Sequence, residues 1–248
     1  MKYVDSLLRN GFEVCCFDFS GSGNSGGEFV TLGYNESEDL KIIISMLKEL
    51  GVKEDIFLWG RSMGAATALY YYLKNSKDPI ISGLILDSPY SDLRSLSLEI
   101  AQKSTKMPKF ILKPIINSIE KSITKRAKFK FDDMDLLYLV QRKNKKNIPA
   151  YFITSSKDEV VEPSHVEKLY KEWGKEGIIK YTNLKHNEVR GNIIIDGCVK
   201  FLKEILQNSM RKSRRTNSFY EYNMAKELLN NSMCETSTSR IKMFKDKF

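Results

Sequence analysis

Residues 60–64 have the sequence Gly-Arg-Ser-Met-Gly, a G-x-S-x-G pattern whose central residue, Ser62, could act as a nucleophile. A strand-like apolar run at 56–59 precedes the pattern, and a helix-like run at 65–74 follows it. Small residues let the backbone reverse sharply between a strand and a helix, which leaves the serine hydroxyl clear at the head of the helix. The same turn would direct the amide N–H of Met63 at a carbonyl oxygen under attack. We therefore predict Ser62 as a nucleophile and Met63 as an oxyanion donor; the plainer alternative is a serine in an ordinary glycine-rich turn.

A serine hydroxyl is a poor nucleophile until a base accepts its proton, and the chain contains only two histidines that could do so. His186 follows a strand-like run at 178–181, whereas His165 lies in the first turn of an expected helix at 163–173. We predict His186 as the base and keep His165 as the alternative. The plainer interpretation of His165 is a side chain at a helix terminus.

A third group, a carboxylate, must orient the histidine, and two aspartates follow strand-like runs. Asp158 comes just after the run at 148–154, and Asp87 follows the run at 80–86. The carboxyl ends of parallel strands meet at one edge of a sheet, where such groups can converge despite wide separation in the chain. We predict Asp158 as the orienting acid and keep Asp87 as a rival, although Asp87 would more simply cap the turn at Pro89.

The elements that must position these residues alternate along the chain, which predicts a mostly parallel sheet with helices on both faces. We expect helices at 2–10, 35–50, 63–74, 163–173 and 189–206, and strands at 13–19, 56–59, 80–86, 149–154 and 177–181. A basic insert at 92–147 is expected to be irregular. The chain has 248 residues, of which 42% are hydrophobic. We expect residues 1–207 to form one enzyme-sized domain and residues 208–248 to form a basic, mostly disordered extension.

These motifs resemble the α/β-hydrolase superfamily, and within it the serine-aminopeptidase-like group of esterases, acylglycerol lipases and protein depalmitoylases. The segment 17–27 (Phe-Asp-Phe-Ser-Gly-Ser-Gly-Asn-Ser-Gly-Gly) resembles the loop after the fourth strand of the family, D-x-R-G-x-G-x-S, with Ser20 in place of the arginine. Residues 158–165 also resemble the pattern around the acid of the family. The resemblance implies an α/β-hydrolase fold, a catalytic triad of Ser62, Asp158 and His186, and no metal or cofactor, with the insert 92–147 in the place of the lid.

The resemblance also implies that the fold lacks its N-terminal strands, including strand 3. In the family, strand 3 and a loop that begins His-Gly come just before the helix expected here at 2–10, and that loop donates the second oxyanion N–H. We therefore expect an N-terminally incomplete chain that is poorly stable and weakly active. Its sheet should show either a gap or a direct pairing between the strands expected at 13–19 and 56–59.

The loop at 21–26 also matches G-x-G-x-x-G, the pattern of dinucleotide-binding proteins. That fingerprint requires a helix to open at the middle glycine, so that the helix N-terminus meets the pyrophosphate. Residues 24–27 (Asn-Ser-Gly-Gly) disfavour a helix, and the next helix is expected to begin near 35. Nucleotide binding is therefore not expected.

The net charge of +9 is concentrated in two segments. The insert 99–147 carries 13 basic and 5 acidic side chains, and residues 208–248 carry 9 and 4. Such charge suits an anionic membrane surface or an anionic substrate, the alternative being a lysine-rich surface in contact only with solvent. No aromatic interleaving accompanies the lysines, so nucleic acid is not an expected partner.

Several sequence features favour a cytoplasmic protein and are compatible with peripheral contact with membranes. No apolar run approaches the roughly 20 residues of a membrane span, and the first five residues are too polar for a signal peptide. The four cysteines lack metal-ligand spacing, and Cys15 and Cys16 are expected to be small core residues.

The sequence thus predicts a serine hydrolase that cleaves an ester or thioester of a lipid-like or small acyl group through an acyl-enzyme. The alternative is a catalytically silent relative that acts as a binding or scaffold protein.

Overall fold

A computed structural model of the chain describes residues 2–53, 55–75, 78–143 and 147–211. Its sheet contains four parallel strands, each hydrogen-bonded to the next one along the chain. They are β1 (Ile56–Arg61), β2 (Ile81–Asp87), β3 (Ala150–Ser155) and β4 (Gly177–Thr182). The predicted parallel sheet is confirmed, and the carboxyl ends of all four strands lie at one edge.

The connections between the strands are helical. In chain order the helices are α1 (Lys2–Arg9), α2 (Glu36–Glu49), α3 (Met63–Lys74), α4 (Leu93–Thr105), α5 (Lys109–Ala127), α6 (Leu136–Gln141) and α7 (Pro163–Trp173). Single 3₁₀ turns span Phe131–Met134 and Gly174–Glu176.

The chain divides into two compact units, Met1–Leu202 and Lys203–Phe248. The first unit ends in a helical run at 192–202. This run begins three residues later than the start expected at 189. Of the second unit, residues 203–211 are described and helical. The disordered extension expected at 208–248 therefore falls almost entirely outside the described residues.

Helices cover both faces of the sheet, as two neighbouring residues of β3 illustrate. Successive side chains of a strand point to opposite faces. Phe152 packs edge-on against Tyr170 and Trp173 of α7, with ring centroids 6.0 and 5.9 Å away. Tyr151 contacts the ring of Phe201 in the helical run 192–202, at 5.4 Å. All six residues of β3 are buried, as expected for a parallel strand between two helical layers.

The segment 13–19 is not a strand, so that prediction is wrong. β1 is the edge strand of the sheet, and among the described residues no backbone hydrogen bond joins 13–19 to it. An alternating apolar pattern becomes a strand only when a neighbouring strand completes its hydrogen-bond ladder, and this segment has no such neighbour. Cys15 and Cys16 are exposed instead of buried, which corrects their interpretation as core residues.

Most described residues of the insert 92–147 are helical, which corrects the expectation of an irregular segment. The carboxylate of Asp92 caps the start of α4 by accepting from the N–H of Ser95 at 2.7 Å. Leu112 and Ile116, one turn apart on α5, are buried and fix that helix to the core. The helix continues through Pro114, although proline removes a backbone donor.

Among the described residues, no helix combines the length and the hydropathy needed to cross a membrane.

Candidate active site

Ser62 occupies a strained turn between β1 and α3. Its backbone has φ 51° and ψ −118°, a combination that costs a non-glycine residue on the order of 1–3 kcal/mol. The N–H of Ser62 donates to the carbonyl oxygen of Asp87 at 2.7 Å, which ties the turn to the end of β2. A Cβ atom on Gly60 would lie 2.1 Å from the carbonyl oxygen of Gly64, so the first glycine of the motif is required for space. A Cβ atom on Gly64 would meet nothing within 4 Å, so the second glycine is not.

The hydroxyl of Ser62 is not used for capping the helix that it precedes. A serine at an N-cap usually accepts from an amide of the first helical turn, but Ser62 makes no such bond. Its Oγ lies 2.9 Å from Nε2 of His186. Met63 is the first residue of α3. The first N–H groups of a helix have no acceptor within the helix, and a negative charge is favourable beside them.

His186 connects Ser62 to Asp158. Its Nδ1 lies 2.8 Å from Oδ2 and 2.9 Å from Oδ1 of Asp158. An ionised carboxylate can only accept hydrogen bonds, so Nδ1 carries the proton and Nε2 is left to accept from the Ser62 hydroxyl. Both His186 and Asp158 are buried. The structure thus brings the three residues singled out from the sequence into one hydrogen-bonded chain.

The carboxylate of Asp158 is held in its ionised form by its surroundings. Burial by itself would raise the pKa of Asp158. The hydrogen bond and charge of His186, together with the N–H groups of Val161 and Val160 at 2.8 and 3.0 Å, outweigh it and lower the pKa below its usual range. Asp158 therefore remains charged at neutral pH and can keep orienting the imidazole.

His165, the alternative base, lies in a separate buried cluster. Its Nδ1 accepts from the N–H of Ser91 at 3.1 Å and lies 2.7 Å from the Ser91 hydroxyl. Its Nε2 lies 2.9 Å from Oε2 of Glu99. Because both ring nitrogens are engaged there, His165 is not the histidine that the structure joins to Ser62.

Asp87, the alternative acid, does not contact His186 and does not cap the turn at Pro89. Its carboxylate receives two hydrogen bonds from the guanidinium of Arg190, at 2.9 and 2.8 Å. Arg190 is fully buried and was not identified from the sequence. The only sequence signal was a lone arginine four residues after a candidate histidine, which does not distinguish a buried ion pair from a surface charge.

Comparison with known proteins identifies the family of this chain. Residues 1–135, more than half of the chain, match the family model described as serine aminopeptidase, S33. The chain belongs to the serine aminopeptidase S33 family. This agrees with the resemblance drawn from the residues around Ser62 and Asp158.

Two curated relatives support the relationship at lower identity. The chain is 28% identical over 171 residues to YqkD of Bacillus subtilis, an uncharacterized protein, covering 68% of this chain and 54% of the relative. It is 24% identical over 206 residues to YNL320W of Saccharomyces cerevisiae, an uncharacterized membrane protein, covering 82% of this chain and 64% of the relative. The chain thus spans less than two thirds of the length of either relative.

Solved structures with the same fold include two hydrolases. The esterase Pf2001 of Pyrococcus furiosus superposes with a TM-score of 0.62 at 24% identity, over 82% of this chain and 76% of the esterase. A monoacylglycerol lipase of Paleococcus ferrophilus superposes with a TM-score of 0.57 at 21% identity, over 82% of this chain and 88% of the lipase. The S33 family member described here therefore has the α/β-hydrolase fold.

The glycine-rich loop of this S33 family member is held by hydrogen bonds within the loop and to α2. Ser20, which replaces the arginine of the family pattern, donates its N–H and its hydroxyl to Asp39 at 2.8 and 2.9 Å. Asp18 accepts from the N–H of Asn24 at 3.0 Å, and a Cβ atom on Gly23 would lie 2.1 Å from Asp18. The loop contains no helix, and the next helix begins at Glu36. The geometry that a dinucleotide fingerprint requires is absent from this loop.

An apolar cavity of about 430 Å³ lies between the segment 29–32 and α5. Its apolar lining side chains are Phe29, Val30, Leu32, Leu93, Ile116, Ile119, Ile123, Ala127, Phe129 and Phe131. On one wall, Leu32 precedes Gly33, where an added Cβ atom would lie 3.5 Å from Oγ1 of Thr67 in the second turn of α3. The cavity can therefore accommodate an apolar group between these segments.

Proposed function

We propose that this chain is a serine hydrolase that cleaves an ester or thioester bond of an acyl substrate. The observation that carries the proposal is the unbroken hydrogen-bonded chain from the Ser62 hydroxyl through His186 to the ionised Asp158. The esterase and lipase with the same fold lend it support.

In the proposed acylation, the oxygen of Ser62 attacks the carbonyl carbon of the substrate while Nε2 of His186 accepts the hydroxyl proton. The resulting imidazolium is stabilised by Asp158, and the N–H of Met63 donates to the tetrahedral oxyanion. Collapse of the intermediate breaks the bond to the alcohol or thiol, which leaves with the proton from His186. Water then attacks the acyl-enzyme by the same proton transfers, releasing the acid and restoring Ser62.

The substrate class follows from the mostly apolar lining of the cavity beside α5. Its lining is aliphatic and aromatic apart from small hydroxyl residues and Arg126. Such a surface favours the hydrocarbon part of an acyl group over a polar or charged substrate. We therefore assign the acyl side of the substrate to this cavity.

A fluorophosphonate probe tests the proposal directly, because it reacts covalently only with an activated serine. We expect stoichiometric labelling of the native protein, and peptide mass spectrometry should locate the adduct on Ser62. Heat-denatured protein is the control and should remain unlabelled. Native protein that stays unlabelled would favour the silent scaffold alternative.

A second proposal concerns the basic apolar face, which we define as Met107 together with the exposed residues of α5. Its apolar members Phe110, Ile111, Ile115 and Ile119 are 74, 44, 47 and 46% exposed.

The only acidic residue of α5, Glu120, forms an ion pair with Arg94 at 2.8 Å. The lysines at 109, 113, 121 and 125 are exposed and make no ion pair with a described residue. We propose that this face binds an anionic lipid bilayer. Its apolar side chains can insert among the acyl chains, and its unpaired lysines can contact the anionic headgroups.

Cosedimentation with vesicles checks this surface. We expect the protein to pellet with anionic phosphatidylserine vesicles at low salt, and less at high salt because exposed charges are screened. Changing the lysines at 109, 113, 121 and 125 to glutamine should reduce the bound fraction on the order of 10-fold or more. Changing two exposed lysines of α7, Lys168 and Lys171, to glutamine is the control and should change binding little. Equal and negligible pelleting with neutral and anionic vesicles would contradict the proposal.

A further inference from the structure

Asp87 joins the two segments that carry Ser62 and His186. Its carbonyl oxygen accepts from the N–H of Ser62 at 2.7 Å, on the side of the nucleophile turn. Its carboxylate binds the guanidinium of Arg190 through Nε and Nη2, on the side of the loop that carries His186. One residue at the end of β2 therefore contacts both halves of the catalytic arrangement.

Arg190 extends this contact to the backbone on either side of the histidine. Its Nη1 donates to the carbonyl oxygens of Lys185 and Glu188, at 3.1 and 3.3 Å. With the two bonds to Asp87, the guanidinium makes four hydrogen bonds and is fully buried. A planar guanidinium can hold a carboxylate and two carbonyl groups at the same time, which a single ammonium group cannot do in the same geometry.

Arg61 holds the same loop from the other side. It directly precedes Ser62, and in the sheet its backbone lies opposite Asp87. Its Nη2 donates to the carbonyl oxygens of His186 and of Glu188, the latter at 3.0 Å. Its Nε lies 3.7 Å from the Asp87 carboxylate. Two guanidinium groups that share one carboxylate therefore bind the backbone from Lys185 to Glu188.

We propose that Asp87, Arg190 and Arg61 form a positioning clamp that fixes the backbone of the His186 loop relative to Ser62. None of the three side chains touches the Ser62 hydroxyl or the imidazole, so they act through His186 and are positioning residues. The inference rests on the proposed function. A displacement of about 1 Å in a reacting group can cost about 10²-fold in rate, so a loop without regular structure needs such bonds.

Histidine NMR tests the clamp without any reference to activity. The chain has only two histidines, so ¹⁵N-histidine labelling yields two imidazoles, with His165 as an internal reference. Substituting Arg61→Gln, or combining Asp87→Asn with Arg190→Gln to remove the buried charges together, should shift or broaden the His186 signals. The His165 signals should remain as in the wild type.

Kinetics test whether the loop position matters for the reaction. We expect the combined Asp87→Asn and Arg190→Gln variant to lose about 10²-fold in kcat for a short ester and in the rate of fluorophosphonate labelling, with little change in KM. The single substitution Arg190→Lys, with Asp87 intact, should recover only part of the lost kcat, because lysine keeps the charge of arginine but not its planar geometry. Arg94→Gln is the control: it breaks ion pairs with Glu120 and Asp132 away from the triad and should leave kcat and both histidine signals unchanged.

The outcomes separate the two proposals. Wild-type kcat and unchanged His186 signals in a folded variant would overturn the clamp. If the combined variant does not fold, the same measurements on Arg61→Gln decide, because Arg61 is partly exposed and its loss leaves no buried charge without a partner. If the wild type itself is not labelled, the proposed function fails, and the NMR comparison still decides whether the clamp positions the loop.

Discussion

Replacing Ser62 by alanine is expected to lower kcat for a short p-nitrophenyl ester by on the order of 10⁶-fold, as loss of a triad nucleophile does. The reason is that Ser62 is the only hydroxyl among the described residues that lies at Nε2 of His186, so the proposed acyl-enzyme cannot form without it. Steady-state rates at saturating ester check the prediction, with fluorophosphonate labelling as the second measurement.

Ser91 supplies a matched control for this substitution. Its hydroxyl also lies beside a histidine, 2.7 Å from Nδ1 of His165, but Ser91 is fully buried. Ser91→Ala should therefore retain labelling and a kcat close to that of the wild type. Labelling that persists in Ser62→Ala would show that the nucleophile has been assigned to the wrong residue.

Replacing His186 by alanine is expected to lower kcat by on the order of 10³-fold or more, because the serine loses the base that accepts its proton. The fold should survive, since the loop backbone stays bound to Arg190 and Arg61. Circular dichroism and the melting temperature check the fold, and ester hydrolysis checks the rate.

The corresponding change at the second histidine discriminates between the two candidate bases. His165→Asn keeps a polar side chain beside Ser91 and Glu99, so we expect a lower melting temperature and a much smaller loss of kcat. A folded His165 variant that is more impaired than His186→Ala would mean that the base is His165.

Local sequence patterns were sufficient to predict the strands and the helix whose positions depend on neighbouring residues. The apolar runs before Ser62, Asp158 and Pro89 became parallel strands. The runs before Asp158 and Pro89 are almost entirely buried, whereas the run before Ser62 forms the partly buried edge strand. The helix expected at 63–74 was found with the same bounds, and the residues expected to meet at the strand ends are hydrogen-bonded there. In each case a turn or a strand end, both short-range features, determined the position of the residue.

Other features depended on partners that no local pattern reveals. The segment 13–19 has the alternation of a strand but no adjoining strand among the described residues, so it remains without regular structure. The insert 92–147 contains prolines that suggest interruption, yet Leu112 and Ile116 hold α5 against the core as a continuous helix. A proline inside a helix costs about 3 kcal/mol, which burial of two such side chains, each contributing about 1.5–3 kcal/mol, can offset.

The sequence by itself determined which side chains are candidates for the reaction, because residue type and position at a strand end single out Ser62, His186 and Asp158. Only the tertiary structure showed which histidine lies beside Ser62 and which aspartate lies beside that histidine, because the sequence left a second candidate for each. The difference lies in contacts across 66 to 103 residues of chain: Glu99 and Ser91 engage His165, and Arg190 engages Asp87. Such long-range partners are selected by packing, and no spacing in the sequence encodes them.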